Sequence, residues 1–360
     1  MKVVVTGGGL AGLACTTELV AHGADVVLLE TADRLGGQIR TTRDAGFLIE
    51  DGAATLDPSG DLCPEWAHDL GLGRDLVERR DLPMLVLLNG ALDRVQSGDT
   101  AALFGLPAGS SAGEAAPVSL RDGMDSLVGA VVRSLAGKAD LRSGNGAVAL
   151  QRDGNAWTVS LEIGPALTAD AIALTIPPRP AAWLVHPVDA AAARALSRLS
   201  ARATVVVTLG FARSAVAHPL DAAGFTVPLE AAEPGLHSCA FSSSQFDNRA
   251  PADAVLLRAV IRPGRGELVG VTEADWANRA VELLAPLLGI RDDPLGAWVS
   301  RWPEAMPDYG PRYAADVGAA RETLRSVGQI ELAGAAYDGW GVDGAISSGR
   351  AAARRLLKRH

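Results

Sequence analysis

Lysine is nearly missing from this sequence: of 360 residues, only Lys2, Lys138 and Lys358 are lysines. Lys and Arg together number 33 against 42 for Asp and Glu, giving a formal net charge of −9 at pH 7. Nucleic acids and anionic membrane surfaces are bound through basic clusters, so a chain this acidic is expected to bind neither. Long apolar runs are also missing, and none approaches the roughly 18 residues that a spanning helix needs. The opening MKVVVTGGG has no basic stretch leading into an apolar one, so no signal peptide is expected. Cys15, Cys63 and Cys239 are too few and too far apart for a disulfide framework or a metal site, and they suit a reducing cytoplasm. The six histidines show no ligand spacing, and His22 and His68 fall in helix-like stretches as ordinary residues. No metal is expected.

Glycine, by contrast, is placed with purpose. Val3–Val5 reads as a strand buried on both faces of a parallel sheet. Gly7, Gly9 and Gly12 follow at G-x-G-x-x-G spacing, then an Ala/Leu-rich helix over Leu10–Ala21, then Gly23 as its stop, then a strand over 24–29 that ends on Glu30. This is a β-α-β unit in about thirty residues. Gly7 permits the tight turn, Gly9 leaves the backbone open to a pyrophosphate, and Gly12 lets the helix pack closely. The phosphates would sit at the helix N-terminus through Leu10 and Ala11, where free N–H groups and the dipole favour an anion. Glu30 would accept from ribose hydroxyls.

Further along, a helical piece is expected around 65–79 and a structureless connection over 106–117. Paired strands are expected at 147–151 and 157–162, and a strand over 171–176 stopped by Pro177 and Pro178. Strands at 204–211 and 254–261, a helix over 276–288, and a closing strand (330–333) and helix (344–357) complete the expected elements. The fold class is α/β: a Rossmann-type dinucleotide domain with a second, discontinuous α+β domain.

The stretch after Glu30 narrows the dinucleotide. Glu30, Thr31, Arg34, Gly36, Gly37 and Gln38 resemble the E-x-x-x-R-x-G-G-R signature of the FAD-dependent amine oxidase and protoporphyrinogen oxidase superfamily, with Gln38 in place of the last arginine and Arg40 nearby. Gly46–Ala53 resembles the family stretch that passes the isoalloxazine, which implies contacts from Gly52 and Ala53. Segment 331–350, with Gly334, Gly341 and Val342, resembles the closing FAD motif. Ser119–Leu127, Ala173–Pro177, 240–251 and 301–309 are similar to protoporphyrinogen oxidases more than to monoamine oxidases. The resemblance implies non-covalent FAD, since no His or Cys stands at an obvious flavin-linking position, and it adds Ala147 and Val148 to the cofactor contacts. It further implies hydride transfer from a small-molecule substrate to flavin N5, with dioxygen as a candidate acceptor and a homodimer as a candidate assembly. Segments 1–57, 119–178 and 325–360 are assigned to the FAD-binding domain, and 58–118 and 179–324 to the substrate domain.

Two departures from the family shape the expected chemistry. Its amine oxidases generally hold a lysine that reaches flavin N5 through water, and no lysine here lies in the corresponding region. Residues 58–118 are also too few for the helical substrate region of full-length porphyrinogen oxidases. A smaller metabolite is therefore expected as substrate. A porphyrinogen oxidase with a partner-completed pocket, and a non-catalytic flavin-binding assembly partner, are the alternatives. Trp302, Tyr309 and Trp340 are candidates for packing near flavin or substrate. No side chain stands out as an acid or base. Arg249, Arg262 and Arg265 are either surface residues or partners for a substrate carboxylate.

Overall fold

A computed structural model describes residues 1–56, 62–94, 117–228, 234–339 and 341–359. Its centre is a five-stranded parallel sheet in the order β19 (Ile330–Leu332), β13 (Ala171–Leu174), β1 (Lys2–Thr6), β2 (Asp25–Leu29), β9 (Asp140–Arg142). Val3, Val4 and Val5 are fully buried because layers cover both faces of the sheet. Burying each such side chain stabilises the fold by roughly 1.5–3 kcal/mol. One layer is the first helix (Leu10–Ala21) with helices Asp125–Leu135 and Gly341–Leu357. The other is a small sheet, β10 (Ala147–Asp153), β11 (Ala156–Leu161) and β12 (Leu167–Ala169), with helices Pro178–Val185, Ala190–Ser197 and Tyr313–Val327. The chain leaves β1 toward β2 on one side and meets β13 on the other, the switch-point geometry at which open α/β sheets bind ligands.

The second body is a seven-stranded sheet. Its order is β18 (Gly296–Pro307), β14 (Ala201–Ala212), β17 (Ala254–Arg262), β16 (Gly235–Phe241), β15 (Gly224–Thr226), β6 (Met84–Leu88), β7 (Ala91–Arg94). Val205, Val207, Leu209, Leu257, Ala259 and Ile261 point to one face and pack on helix Glu273–Leu288. Thr272 caps the start of that helix, accepting from Asp275 N at 3.1 Å, and Gly289 closes it at φ 60°. The alternate residues face the nucleotide-binding body in cross-strand rows. Trp302 lies opposite Thr204, while Ser300, Val206, Val260 and Ser238 form the next row, and Trp298, Thr208, Arg258 and Ala240 the one after. The hairpin β3 (Thr41–Asp44) and β4 (Phe47–Glu50) docks on this face. Phe47 lies 5.4 Å from the Trp298 ring and packs with Ile49 and Leu256. A Cβ at Gly210 would come within 2.7 Å of the Phe47 ring, so glycine there makes room for the hairpin. The remaining pair, β5 (Leu76–Glu78) and β8 (Val118–Leu120), forms a separate two-stranded antiparallel sheet.

Several expectations need correction. The helix expected over 65–79 ends at Asp69, and Gly71 (φ 79°) turns the chain toward β5. The strand expected over 171–176 ends at Leu174, ahead of the prolines, which also open helix Pro178–Val185, with proline at a first-turn position where no N–H is needed. β18 and helix Tyr313–Val327 were not anticipated. The connection expected over 106–117 lies outside the described residues up to 116. Among the described residues no helix is long and apolar enough to cross a membrane, and no group of side chains could hold a metal ion.

Candidate functional site

The first helix begins without protection. Its N-cap, Gly9, offers no side chain, and no acidic residue lies in its first turn. The N–H groups of such a turn have no partner inside the helix. Gly7 (φ 104°) makes the preceding turn and donates to Leu29 O at 2.7 Å. A Cβ on Gly12 would lie 1.9 Å from Gly7 O, so helix and turn touch backbone to backbone there. Gly9 differs from both. Its φ of −72° is open to any residue, and a Cβ built on it would meet only Gly37 Cα, at 3.8 Å. Neither backbone conformation nor packing requires glycine at position 9, so the space in front of it suits a group from outside the protein.

Glu30 is held beside this turn by N–H donors, Gly8 at 2.6 Å and Ala32 at 2.9 Å. Thr31 lies against Gly146, where an added Cβ would come 2.4 Å from its hydroxyl. A bulge then interrupts the register between Ala147 and Ala149 and leaves Val148 52% exposed. The loop after Glu30 returns to Gly9, with Gly36 N donating to Gly8 O at 2.8 Å and Gly37 packed on Gly9. Arg34 spends its guanidinium on this loop, donating to Ile39 O at 2.9 Å and Gly37 O at 2.7 Å. Gln38 turns the other way: its amide donates to Glu304 O and Ala305 O, at 3.2 and 3.3 Å, within a widened part of β18.

From Gln38 the track passes to residues 50–53. Ala53 N donates to Gln38 O at 3.1 Å, and a Cβ on Gly52 would lie 1.8 Å from that same oxygen. The carbonyls of three successive residues then accept from the seven-stranded sheet. Arg258 Nε donates to Glu50 O at 2.9 Å, Trp302 Nε1 donates to Asp51 O at 2.7 Å, and Arg258 Nη2 donates to Gly52 O. The Trp302 ring edge reaches Gly52. The candidate aromatic therefore sits at the meeting of the two bodies.

The closing segment comes to the same place. A Cβ on Gly334 (φ 131°) would lie 3.9 Å from Ala11 Cβ, and Val342 packs in one core cluster with Leu10. Gly334 N donates to Ser348 Oγ at 2.8 Å, and Ser348 donates in turn to Asp338, which is paired with Arg321. Gly341 (φ 79°) starts the last helix. The Tyr309 hydroxyl donates to Ala335 O at 2.7 Å, bracing the segment that follows Gly334. Trp340 lies outside the described residues. Arg249 is not a surface residue. It is 3% exposed and donates to Leu120 O and Ser119 Oγ, at 3.0 and 2.9 Å. Arg265 is exposed and Arg262 half-buried.

A family profile described as flavin containing amine oxidoreductase matches residues 10–115 and 90–357. The chain belongs to this flavin containing amine oxidoreductase family. Among curated relatives, the coproporphyrinogen III oxidase of Propionibacterium freudenreichii is 25% identical, over 99% of this chain and 90% of that one. The coproporphyrinogen III oxidase of Bacillus subtilis is 22% identical, over 99% and 97%. Among solved structures, a candidate protoporphyrinogen oxidase from Exiguobacterium sp. 255-15 superposes with a TM-score of 0.86 at 21% identity, covering 99% of both chains. Putrescine oxidase bound to putrescine gives 0.74 at 16%, covering 100% of both. This family member is thus an FAD-dependent oxidoreductase of the amine oxidase and protoporphyrinogen oxidase type.

Proposed function

We propose that the chain oxidises an organic substrate smaller than a porphyrinogen, using FAD held along the track from Gly9 to Trp302. When bound, FAD supplies the acceptor for two electrons and a proton. The first-turn N–H groups of Leu10, Ala11 and Gly12 hold its pyrophosphate, with Gly7 shaping the turn and Gly9 and Gly334 leaving room. Glu30 takes ribose hydroxyls, and Thr31, Ala147 and Val148 flank the base. Arg34 serves by fixing the Gly36–Gly37 loop. Gly52, Ala53, Gly341 and Val342 line the far end, where Trp302 excludes water. In this reading 1–57, 119–178 and 325–360 form the FAD-binding domain, and 58–118 with 179–324 the substrate domain. Dioxygen is the acceptor we favour, and a homodimer the assembly.

The observation that carries the substrate size is the docked hairpin. Phe47, Ile49 and Trp298 pack together on the sheet face that looks toward the cofactor track. A buried ligand needs walls and volume on that face, and the part under the hairpin is taken up by protein. Coproporphyrinogen oxidation is the second reading, favoured by resemblance to two such oxidases along nearly the whole chain. The alignment to the first runs over 483 positions, against 360 residues here, so that relative carries segments this chain lacks. The test is anaerobic bleaching of the flavin by coproporphyrinogen, by protoporphyrinogen and by a panel of small amines and carboxylates. Bleaching by a small compound at the rate of turnover is expected. Equally rapid bleaching by a porphyrinogen would replace this proposal with the second reading.

A further inference from the structure

Glu50 is a carboxyl group that the fold buries without an ion pair among the described residues. It ends the apolar run Phe47-Leu48-Ile49 in β4 and is 6% exposed. Met124 N donates to its Oε1 at 2.9 Å, and the Thr41 hydroxyl donates to its Oε2 at 2.8 Å. The charged groups that act on it are Arg249, from the loop after Phe246, Arg258, from β17, and Arg43, from β3, which is itself paired with Asp125. Arg249 and Arg258 direct their hydrogen bonds elsewhere. Arg258 holds the carbonyls of Glu50 and Gly52, and Arg249 holds Leu120 O, Arg121 O and Ser119 Oγ.

Between these groups lies a cavity of about 30 Å³, lined by Glu50, Thr208, Gln245, Arg249 and Arg258 among others. Thr208 is 1% exposed, and its buried hydroxyl has no hydrogen-bond partner among the described residues. Its walls are mixed, Leu48, Phe246 and Leu256 standing beside these polar groups, and the cavity volume has room for about two waters. Burial opposes the charged form of Glu50, while Arg249, Arg258 and two donors support it. Burial is the larger effect and pushes the carboxyl up to about 7.

We propose that Glu50 is a redox-linked proton site, taking a proton from solvent through the cavity waters when the flavin is reduced and returning it on reoxidation. The inference rests on the reading that FAD lies beside residues 50–53. Electrons pass from substrate or chemical reductant to the flavin. The proton passes from water to a Glu50 oxygen, and the O–H bond formed there is the only bond made on the protein. The coupling is electrostatic: negative charge gained on the far side of Gly52 raises the proton affinity of a carboxyl already balanced between its two forms. Arg258 fixes the distance, because one guanidinium grips both Glu50 and Gly52.

The test uses the FAD-loaded full chain. The midpoint potential of wild type and of Glu50→Gln is measured against pH across neutrality. Reduced flavin can titrate in the same range, so the comparison between the two proteins decides. Wild type should gain an extra proton per two electrons near neutral pH, and Glu50→Gln should lose that increment. Identical profiles would overturn the proposal. A second measurement needs no variant: a reduced-minus-oxidised infrared spectrum of wild type grown with carbon-13-labelled glutamate. A protonated-carboxyl band that shifts with the label should appear on reduction, and its absence would also overturn the proposal. A chain that takes up no flavin would remove the underlying reading and this inference with it, an outcome distinct from a flavoprotein whose Glu50 is silent.

Discussion

Gly9→Ala and Gly12→Ala differ by three positions in one turn, and the structure assigns them opposite fates. At Gly9 the added methyl meets nothing nearer than 3.8 Å, and its φ of −72° suits alanine. Alanine reduces unfolded-state freedom, a gain of about 0.4–1 kcal/mol, and it is a poorer N-cap than glycine by a similar amount. The apoprotein should therefore stay within about 1 kcal/mol of wild type in urea unfolding. Its FAD affinity should fall by more than tenfold, at least about 1.4 kcal/mol, because the methyl stands where the pyrophosphate approaches backbone. At Gly12 the methyl would lie 1.9 Å from Gly7 O, a backbone atom that cannot step aside. Gly12→Ala should destabilise the apoprotein by about 3 kcal/mol or more, as overpacking against fixed backbone does. Apoprotein urea curves and FAD titrations by fluorescence quenching read both quantities. If Gly9→Ala bound FAD normally, the phosphate site would be misplaced. If it unfolded the apoprotein, the argument that the protein leaves this space free would fail.

Other perturbations follow from the same contacts. Glu50 is shifted from 4.5 to about 7, so wild type is favoured below the unfolded value and loses roughly 3 kcal/mol as pH rises from about 4.5 to 7. Glu50→Gln should lack that loss, and the difference between the two urea-stability curves against pH measures it. Arg249→Met leaves Leu120 O, Arg121 O and Ser119 Oγ without their buried donor and should cost about 2–3 kcal/mol in urea unfolding. Glu30→Ala should weaken FAD binding through lost bonds to ribose worth roughly 1.5–3 kcal/mol, with apoprotein stability much less affected. FAD titration against both proteins tests this.

The nucleotide-binding end was legible because its signals are local. Valines on both faces of a strand, glycines at fixed spacing and an acid closing the next strand are all set within one β-α-β unit. β18 was not legible. It has Pro303 and Pro307, and no alternation of burial along its length, so no periodic signal marks it. That loss hid the placement of Trp302, whose role comes from the strand opposite. The direction of a long side chain was hidden for the same reason. Arg34 and Gln38 fall in a recognisable motif, yet whether each reaches a ligand, its own loop or β18 depends on packing the motif does not contain. Glu50 left one readable mark, a carboxylate at the end of an apolar strand, and that mark alone does not tell a solvent-facing end from a buried one.

The contact between Gly349 and Ala11 has a consequence for synthesis. A Cβ on Gly349 would come 2.1 Å from Ala11 O, so the last helix lies directly on the first. During translation the first β-α-β unit leaves the ribosome more than three hundred residues before that helix and before β19. Until they arrive, the apolar flank of the first helix lacks its cover and the cradle around Gly334 does not exist. Pairings this distant in sequence close slowly, and the unpaired intermediate exposes apolar surface that invites aggregation. With FAD held as proposed, flavin loading is expected only after the last helix is made. Free FAD present at that moment, rather than earlier in synthesis, should govern the yield of intact protein.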